Sequence, residues 1–188
     1  MPRPPVLPVL DWQAIFDSGK PFETWLADAE PDLRETMAQA LAAQTLEPHV
    51  EAALAALPRP VYVVAIAEPW CGDVRRHVPV LQRMAQAAPK LYVRYITRAQ
   101  HPNVFIRFLT NGGEAIPKFV FLSDQWVECG NWGPMPAADR VLIARGKACG
   151  DLGAARKKVG LSYQVDAERR IVVEELMDLI EIAVCAAP

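Results

Sequence analysis

Cys71 is the residue whose type and position could support chemistry. It follows a short apolar run, 61–66, whose β-branched residues are typical of a buried strand. Apolar residues then recur every three or four positions over 72–84, which predicts one face of a helix. Cys71 therefore stands at a predicted helix N-terminus, where free N–H groups and the helix dipole stabilise a thiolate relative to a thiol. A buried, inert cysteine is the competing interpretation of this position.

Three charged residues follow Cys71 in the first turns of this predicted helix. Arg75 and Arg76 would favour a thiolate, whereas Asp73 would oppose it. Both arginines also fit an ordinary exposed helix surface, because charged side chains at the surface are usually only solvated. We therefore treat Arg75 and Arg76 as candidate electrostatic support for a Cys71 thiolate.

The other cysteines and the histidines supply no second reactive group close in sequence. Cys129, Cys149 and Cys185 are isolated, so the chain has neither a local dithiol nor a zinc knuckle. We interpret these three cysteines as structural or incidental thiols, and the three histidines show no ligand spacing. His77 follows Cys71 by six positions on the same predicted helix and should point away from its start, which disfavours a cysteine–histidine hydrolase. The sequence predicts no metal site and no cofactor.

The composition is that of a globular protein of one domain with an elaboration. Of 188 residues, 52% are hydrophobic and 22% are charged, and the net charge of -2 offers no basic field for nucleic acid. No apolar run approaches the ~18 residues of a membrane span, and the proline-broken start has no secretory apolar stretch. We expect a cytoplasmic protein with neither a nucleic acid nor a membrane as partner.

Residues 1–57 are predicted to form an N-terminal extension packed on a main domain of residues 58–188. The first ten residues are rich in proline and are expected to be an irregular arm. Helical spacing of aromatic and apolar residues predicts four helices in this extension, two within 11–29, one over 32–45 and one over 48–57.

The main domain is predicted to alternate strands and helices. Strands are expected over 61–66, 91–96, 118–122 and from Trp126 to about 131. Later helices are expected over 102–109, 136 to about 159 and 166–186, with Gly146, Gly150 and Gly153 weakening or breaking the second of these. The first two strands, joined by a helix, should be parallel, and the last two should form an antiparallel hairpin. The predicted fold class is α/β, with a mixed sheet of about four strands and helices on both faces.

Three separated segments of this domain resemble the thioredoxin-like superfamily. They are 68–73 (EPWCGD), 110–117 (TNGGEAIP) and 132–136 (WGPMP), each on the element where that fold requires it. Together they are similar to a bacterial subfamily that carries W-C-G-D in place of W-C-G-P-C. The resemblance covers roughly 61–144 and implies a thioredoxin-like fold with an N-terminal helical extension and a C-terminal helix.

The resemblance also implies a substrate site around Cys71. The Ile116–Pro117 bond is expected to be cis and to lie against the cysteine, with the Ile116 backbone pairing with an extended substrate. Without the resemblance, a trans proline at the start of a strand would be favoured. The other residues implied to contact substrate are Trp70, Gly72 and Asp73.

Two positions depart from the dithiol pattern of thioredoxin. Val74 stands where the second cysteine would lie, and Ala65 stands where a buried acid would help to deprotonate it. Because a valine cannot resolve a mixed disulfide, the sequence favours exchange through one cysteine. The Cys71 thiolate would attack a mixed disulfide, and a small thiol such as glutathione or bacillithiol would release it.

Two functions therefore remain open on the sequence. The first is a monothiol thiol–disulfide oxidoreductase in cell redox homeostasis, acting on a protein or a low-molecular-weight thiol or disulfide. The alternative is a non-catalytic thioredoxin-like module that binds a peptide or protein in a groove around Trp70, Ile116 and Trp132. The sequence does not separate them, because fold does not imply function.

Overall fold

A computed structural model describes residues 9–185, which form four strands and nine α-helices. The strands are β1 (Val61–Ile66), β2 (Leu91–Ile96), β3 (Lys118–Leu122) and β4 (Glu128–Trp132). The helices are α1 (Trp12–Asp17), α2 (Phe22–Ala27), α3 (Pro31–Ala43), α4 (Pro48–Ala55), α5 (Gly72–Ala87), α6 (Pro102–Phe105), α7 (Ala137–Ala148), α8 (Leu152–Val165) and α9 (Arg170–Ala183). A 3-10 turn, Ile106–Phe108, follows α6. Positions 1–8 of the predicted proline-rich arm and position 186 of the predicted last helix lie outside the described residues.

The four strands form one mixed sheet in the order β2-β1-β3-β4. β1 and β2 are parallel, with Val61 opposite Leu91, whereas β3 runs antiparallel to both β1 and β4. This arrangement confirms the predicted thioredoxin-like α/β fold, and the predicted bounds of the first three strands are correct. The crossover helix α5 and the register of β3 on β1 bring the C-terminal end of β1 next to the start of β3, where Ile66 pairs with Lys118.

Helices cover both faces of the sheet, as predicted. One face carries Tyr95 and Trp132, whose side chains donate hydrogen bonds to Gln82 of α5 and Glu175 of α9. The opposite face carries Tyr62, which packs edge-on against a phenylalanine of α1. Because successive side chains of a strand point to opposite faces, the nearly continuous apolar runs of β1 and β3 supply both halves of the core.

The N-terminal helices pack directly on the rest of the chain. α1 and α2 contact β1 and β2, while α3 and α4 contact α5. Lys20 forms two backbone hydrogen bonds of 2.9 Å with Tyr95, which extends the sheet at its β2 edge. Trp25 stacks on Tyr95 with ring centroids 4.6 Å apart and donates its indole N–H to the Ala67 carbonyl. These tryptophan contacts anchor the N-terminal segment next to the end of β1.

The predicted start of the fourth strand is wrong by two residues. Trp126 has a positive φ of 63° and donates its backbone N–H to the Ser123 carbonyl, so it belongs to the turn between β3 and β4. The strand begins at Glu128 and pairs as far as Trp132, with a bulge opposite Phe121 and Leu122. A single residue in the left-handed region is a local feature that the apolar pattern does not reveal.

The helical predictions for the C-terminal third also need correction. The helix expected over 136–159 is two helices, because Gly150 with φ of 72° ends α7 and the Asp151 carboxylate caps α8. The last helix begins at Arg170, four residues later than predicted. The Asp166 carboxylate accepts the backbone N–H groups of Arg170 and Ile171, so Asp166 precedes the helix and binds its first turn. The helix expected over 102–109 is one α-helical turn continued as 3-10.

Gly133 occupies a place where the fold leaves no room for a side chain. Its φ is 117°, and a Cβ atom there would stand 2.1 Å from the Pro117 carbonyl oxygen. We expect Gly133→Ala to lower the free energy of unfolding by about 3 kcal/mol or more, because backbone cannot move aside cheaply. Gly112→Ala is the control, since φ is also positive there, at 73°, but nothing lies within 4 Å. Gly112→Ala should lower the free energy of unfolding by about 1 kcal/mol. If urea unfolding gave equal decreases for the two variants, the close approach of Gly133 to Pro117 would be contradicted.

Candidate functional site

Cys71 is the N-cap residue of α5. Its extended backbone, with φ of -76° and ψ of 130°, ends the turn that follows β1, and its N–H donates to the Glu68 carbonyl at 3.1 Å. The Cys71 carbonyl accepts the N–H of Arg75 at 3.1 Å and so begins the helix. The side chain makes no capping bond and is half-buried. The sulfur therefore stands beside the free N–H groups of the first turn of α5.

The thiol of Cys71 faces the segment that leads into β3. Its Sγ donates to the carbonyl oxygen of Ile116 at 3.5 Å. Ile116 is buried, and the Ile116–Pro117 peptide bond is cis. A second cis bond, Gly133–Pro134, lies beyond β4 and had no counterpart in the sequence predictions. The structure thus brings Cys71, Ile116 and Pro117 together, and substrate pairing at Ile116 stays a prediction.

Trp70 gives the site an exposed aromatic surface. Its side chain is 59% exposed, although it immediately precedes the half-buried cysteine. The indole N–H donates to Glu68 Oε2 at 3.0 Å, and the guanidinium of Arg98 lies 5.4 Å from the ring centroid. The indole is therefore held in one orientation by a hydrogen bond and a cation–π contact while its apolar surface remains accessible.

Arg98 is a charged member of the site that the sequence predictions missed. Its Nε and NH2 groups bond to Glu68, with NH2 at 3.0 Å from Oε2, and NH1 bonds to Glu114 Oε2 at 3.2 Å. Its pKa is raised, first by the hydrogen bond to Glu68, while burial acts to lower it; the negative charges of Glu68 and Glu114, and of Cys71 when it is a thiolate, raise it further. Arg98 is therefore close enough to Cys71 for their charges to interact.

The topology contains a signal that could have identified Arg98. Arg98 follows the end of β2 by two residues, and Glu68 follows the end of β1 by two residues. The carboxyl ends of parallel neighbouring strands meet at one edge of a sheet. Applying that rule to the two predicted parallel strands would have placed this pair beside the turn that carries Cys71.

The charged residues in the first turn of α5 make different contacts. Arg76 NH1 lies 3.4 Å from Asp73 Oδ1, and its guanidinium also lies 5.2 Å from the ring centroid of Tyr163 on α8. The pKa of Asp73 is raised by burial, while Arg76 acts to lower it. Arg75 contributes its backbone N–H to Cys71, and Gly72 is the first residue of the helix. The electrostatic roles predicted for Arg75 and Arg76 remain predictions.

The positions that distinguish a dithiol site are filled by core residues. Val74 and Ala65 are both fully buried. All four cysteines are free thiols; Cys149 and Cys185 are exposed, and Cys129 is half-buried. The pKa of the Cys129 thiol is raised, chiefly by burial. Cys71 is therefore the cysteine at the helix start, with no other cysteine bonded to it.

His77 is a core residue between α5, β4 and α8. Its Nε2 lies 3.3 Å from the Tyr163 hydroxyl, and its ring meets the edge of Trp132 at 5.1 Å. Burial lowers the pKa of His77 to about 3, and the charges of Arg169 and Arg76 act in the same direction. At neutral pH the imidazole is uncharged and its contacts are those of packing.

Among residues 9–185 no group of three or more His, Cys, Asp or Glu side chains is arranged to hold a metal ion. In the same part of the chain no helix is both long and apolar enough to cross a membrane.

Comparison with known proteins identifies relatives of the fold. A family model described as Thioredoxin matches residues 19–148, more than half of the chain. The 1.5 Å crystal structure of a protein of unknown function from Pseudomonas aeruginosa is similar, with 17% identity and a TM-score of 0.68 over 95% of this chain and 100% of that chain. The crystal structure of an HIV epitope-scaffold is 14% identical, with a TM-score of 0.68 over 92% of this chain and 98% of that one. No curated protein matches the sequence.

The buried His77 predicts a loss of stability in acid. Below its ordinary pKa of 6.5 the unfolded chain binds a proton at this residue, whereas the folded chain does not until about pH 3. The free energy of unfolding should therefore fall by about 1.4 kcal/mol per pH unit from this residue as the pH decreases within that window. His77→Gln removes the titration, so denaturant unfolding between pH 7 and about 5 should show a shallower pH dependence in the variant. Identical pH dependences would contradict an uncharged, buried His77.

Proposed function

Because this chain belongs to the thioredoxin family, we propose that it is a monothiol thiol–disulfide oxidoreductase with Cys71 as its nucleophile. The observation that carries the proposal is the position of the Cys71 sulfur, half-buried at the start of α5 and 3.5 Å from the Ile116 carbonyl. The W-C-G-D turn at 70–73 supports its assignment to the single-cysteine bacterial subfamily. The proposed setting is the cytoplasm, where isolated cysteines stay reduced.

The proposed reaction is an exchange in which the protein is neither oxidised nor reduced overall. The Cys71 thiolate attacks one sulfur of a mixed disulfide, a new S–S bond forms, and the other sulfur leaves as a thiolate that takes a proton from water. A small thiol then attacks the protein-bound disulfide as its thiolate. This second step regenerates the Cys71 thiolate and leaves the small thiol in a new disulfide. Val74 cannot take the place of that external thiol.

The first turn of α5 and Arg98 supply the positive potential that the thiolate needs. The first N–H groups of a helix lack partners within it and carry the positive end of the helix dipole. The positive charge of Arg98 adds to this potential, but it is shared with the carboxylates of Glu68 and Glu114. Because the guanidinium is paired and partly solvated, its effect on Cys71 should be about 1 kcal/mol rather than several.

Substrate would approach Cys71 between Trp70 and the segment before β3. The Ile116 carbonyl is bonded only weakly by the thiol at 3.5 Å, so an extended substrate backbone can compete for it. The exposed indole of Trp70, the residue before Cys71, offers an apolar surface to substrate. This arrangement suits both a protein disulfide and a small disulfide.

Exposure of Trp70 also favours a second candidate, a non-catalytic module that binds a peptide or protein next to Cys71. The predicted groove changes in one respect: Trp132 is only 2% exposed and packs on His77 and Phe119, so it cannot line the surface. An exposed indole held in one orientation is a typical anchor of a binding surface. The two candidates differ in what they require of the sulfur. The binding module should retain its partner when Cys71 is serine, whereas the oxidoreductase should lose turnover.

Substitution of the nucleophile is the primary test of the proposed activity. With a glutathionylated peptide as substrate and reduced glutathione in excess, Cys71→Ser should show no turnover above the uncatalysed exchange, because a hydroxyl does not attack a disulfide under these conditions. Cys149→Ser is the matched control, since Cys149 is an exposed free thiol far along the chain on the end of α7. It should keep the parental rate. Activity that survives in Cys71→Ser would contradict the proposal.

Arg98 should affect the rate through the thiolate. Arg98→Gln should lower the rate of disulfide exchange at pH 7 by about three- to tenfold, as expected for loss of about 1 kcal/mol of electrostatic stabilisation. Arg98→Lys, which keeps a positive charge at this position, should recover part of the rate. Arg59→Gln is the control and should keep the parental rate: Arg59 also pairs with a carboxylate, that of Asp124, but it precedes the opposite end of β1. An equal deficit in Arg98→Lys and Arg98→Gln would indicate a structural role instead.

A further inference from the structure

A cavity separate from the Cys71 contact lies between the start of β3, the segment before it and α7. Its volume is about 530 Å³, and positively charged and amide side chains line it together with apolar ones. The polar groups of its wall belong to Arg107, Thr110, Asn111, Lys118, Asn131 and Arg140. None of the described residues in this wall carries a carboxylate. The cavity is thus open to solvent and predominantly basic.

Lys118 is a buried cation without a carboxylate partner. Its side chain is only 3% exposed, and its Nζ donates to the Gly133 carbonyl at 2.8 Å. Arg140 NH1 donates to the same oxygen at 3.2 Å. Neither Lys118 nor Arg140 forms an ion pair with any residue between 9 and 185. Buried charges in proteins are normally paired, so two cations that share one carbonyl form an unusual arrangement.

The energetics of this pair favour a further hydrogen-bond acceptor. Burial and the charge of Arg140 lower the pKa of Lys118 to about 8. The hydroxyl oxygen of Thr110, which lines the same cavity, is buried and has no hydrogen-bond partner within the described part of the chain. A buried polar group without a partner costs about 1–3 kcal/mol. Two cations that share one carbonyl and one unpaired hydroxyl thus belong to residues of a single cavity wall.

We propose that this cavity is a binding site for an oxyanion, a carboxylate or phosphate group, held by Lys118, Arg140 and the Thr110 hydroxyl. Hydrogen bonds from charged donors to oxyanions are among the stronger ones in proteins, and a guanidinium can bind two oxygens at once. The carboxamide of Asn131 lies at the same wall and offers a further N–H donor. Binding would neutralise the repulsion between the two cations.

The position of the cavity connects it to the thiol. A neighbouring cavity of about 310 Å³ shares Thr110, Asn111 and Arg140 with it and extends to Asp73 and Ala115. These last two residues lie next to the turn of Cys71 and to Ile116. The oxyanion could therefore be the acidic end of a disulfide substrate of Cys71, an assignment that rests on the proposed function, or a separate small anion.

The site is tested by titration with sulfate, whose charge is constant between pH 6 and 9. Isothermal titration calorimetry of the full chain should show saturable binding that is at least about tenfold weaker in Arg140→Gln and weaker in Thr110→Val. Arg145→Gln removes an exposed arginine from the same helix and should bind as the parent does. At pH 8 binding should take up protons, measured in buffers of different ionisation enthalpy, because a bound anion raises the pKa of Lys118. Absence of saturable binding, or an equal loss in Arg145→Gln, would overturn the site.

A second experiment distinguishes the two sources of the anion. Turnover by Cys71 is compared for two disulfides of similar size, one bearing carboxylates and one neutral, in the parent and in Arg140→Gln. A preference for the acidic disulfide that disappears in Arg140→Gln would assign the oxyanion to the substrate. Equal rates for both disulfides in both proteins would overturn that assignment and leave a separate anion. If neither disulfide is turned over, the proposed function fails, while the sulfate titration still decides the site.

Discussion

The contact between the Cys71 sulfur and the Ile116 carbonyl depends on how tightly β3 and the end of β4 are packed. The register of β3 on β1 places Ile66 opposite Lys118. The turn that carries Cys71 and the segment that carries Ile116 therefore both join the sheet at the C-terminal end of β1. Behind them, Gly133 approaches the Pro117 carbonyl so closely that no side chain fits. Sheet pairing and one glycine therefore position the sulfur and its acceptor.

Two pairs of charged side chains lie near the C-terminal end of β1. Glu68 and Arg98 extend from the ends of β1 and β2 and bond to each other beside the thiol. A partly exposed ion pair of this kind adds little to stability, so its main effect is on the local potential and on the orientation of Trp70. Lys118 and Arg140 differ, because burial brings two like charges together on one carbonyl. The proposed thiol chemistry and the proposed oxyanion site thus draw on neighbouring regions of positive potential.

Short-range patterns in the sequence predicted most strands and helices. The first three strands and the start of α5 follow from short apolar runs and helical spacing, and the neighbourhood of Cys71 and Ile116 came from the family resemblance. Periodicity could not show that Trp126 belongs to a turn, nor which of three glycines ends α7. Arg98 was missed because its proximity to Cys71 arises from strand pairing between positions about thirty residues apart in sequence. The sequence predicts Lys118 only as the start of a strand, because a sequence does not reveal that a lysine is buried without a carboxylate partner.

The central claim is that Cys71 alone, at the start of α5, is a reactive nucleophile toward disulfides. The most direct measurement is the rate at which glutathione disulfide modifies Cys71 in a protein whose other three cysteines are serine, followed at pH 7 by intact mass. The comparison is the exposed Cys149, left as the only cysteine in a second protein. The account predicts that Cys71 gains one glutathione about tenfold faster than Cys149 or more, and that a small thiol removes it again. A Cys71 that reacts no faster than Cys149, or that does not react in the folded protein, would contradict it.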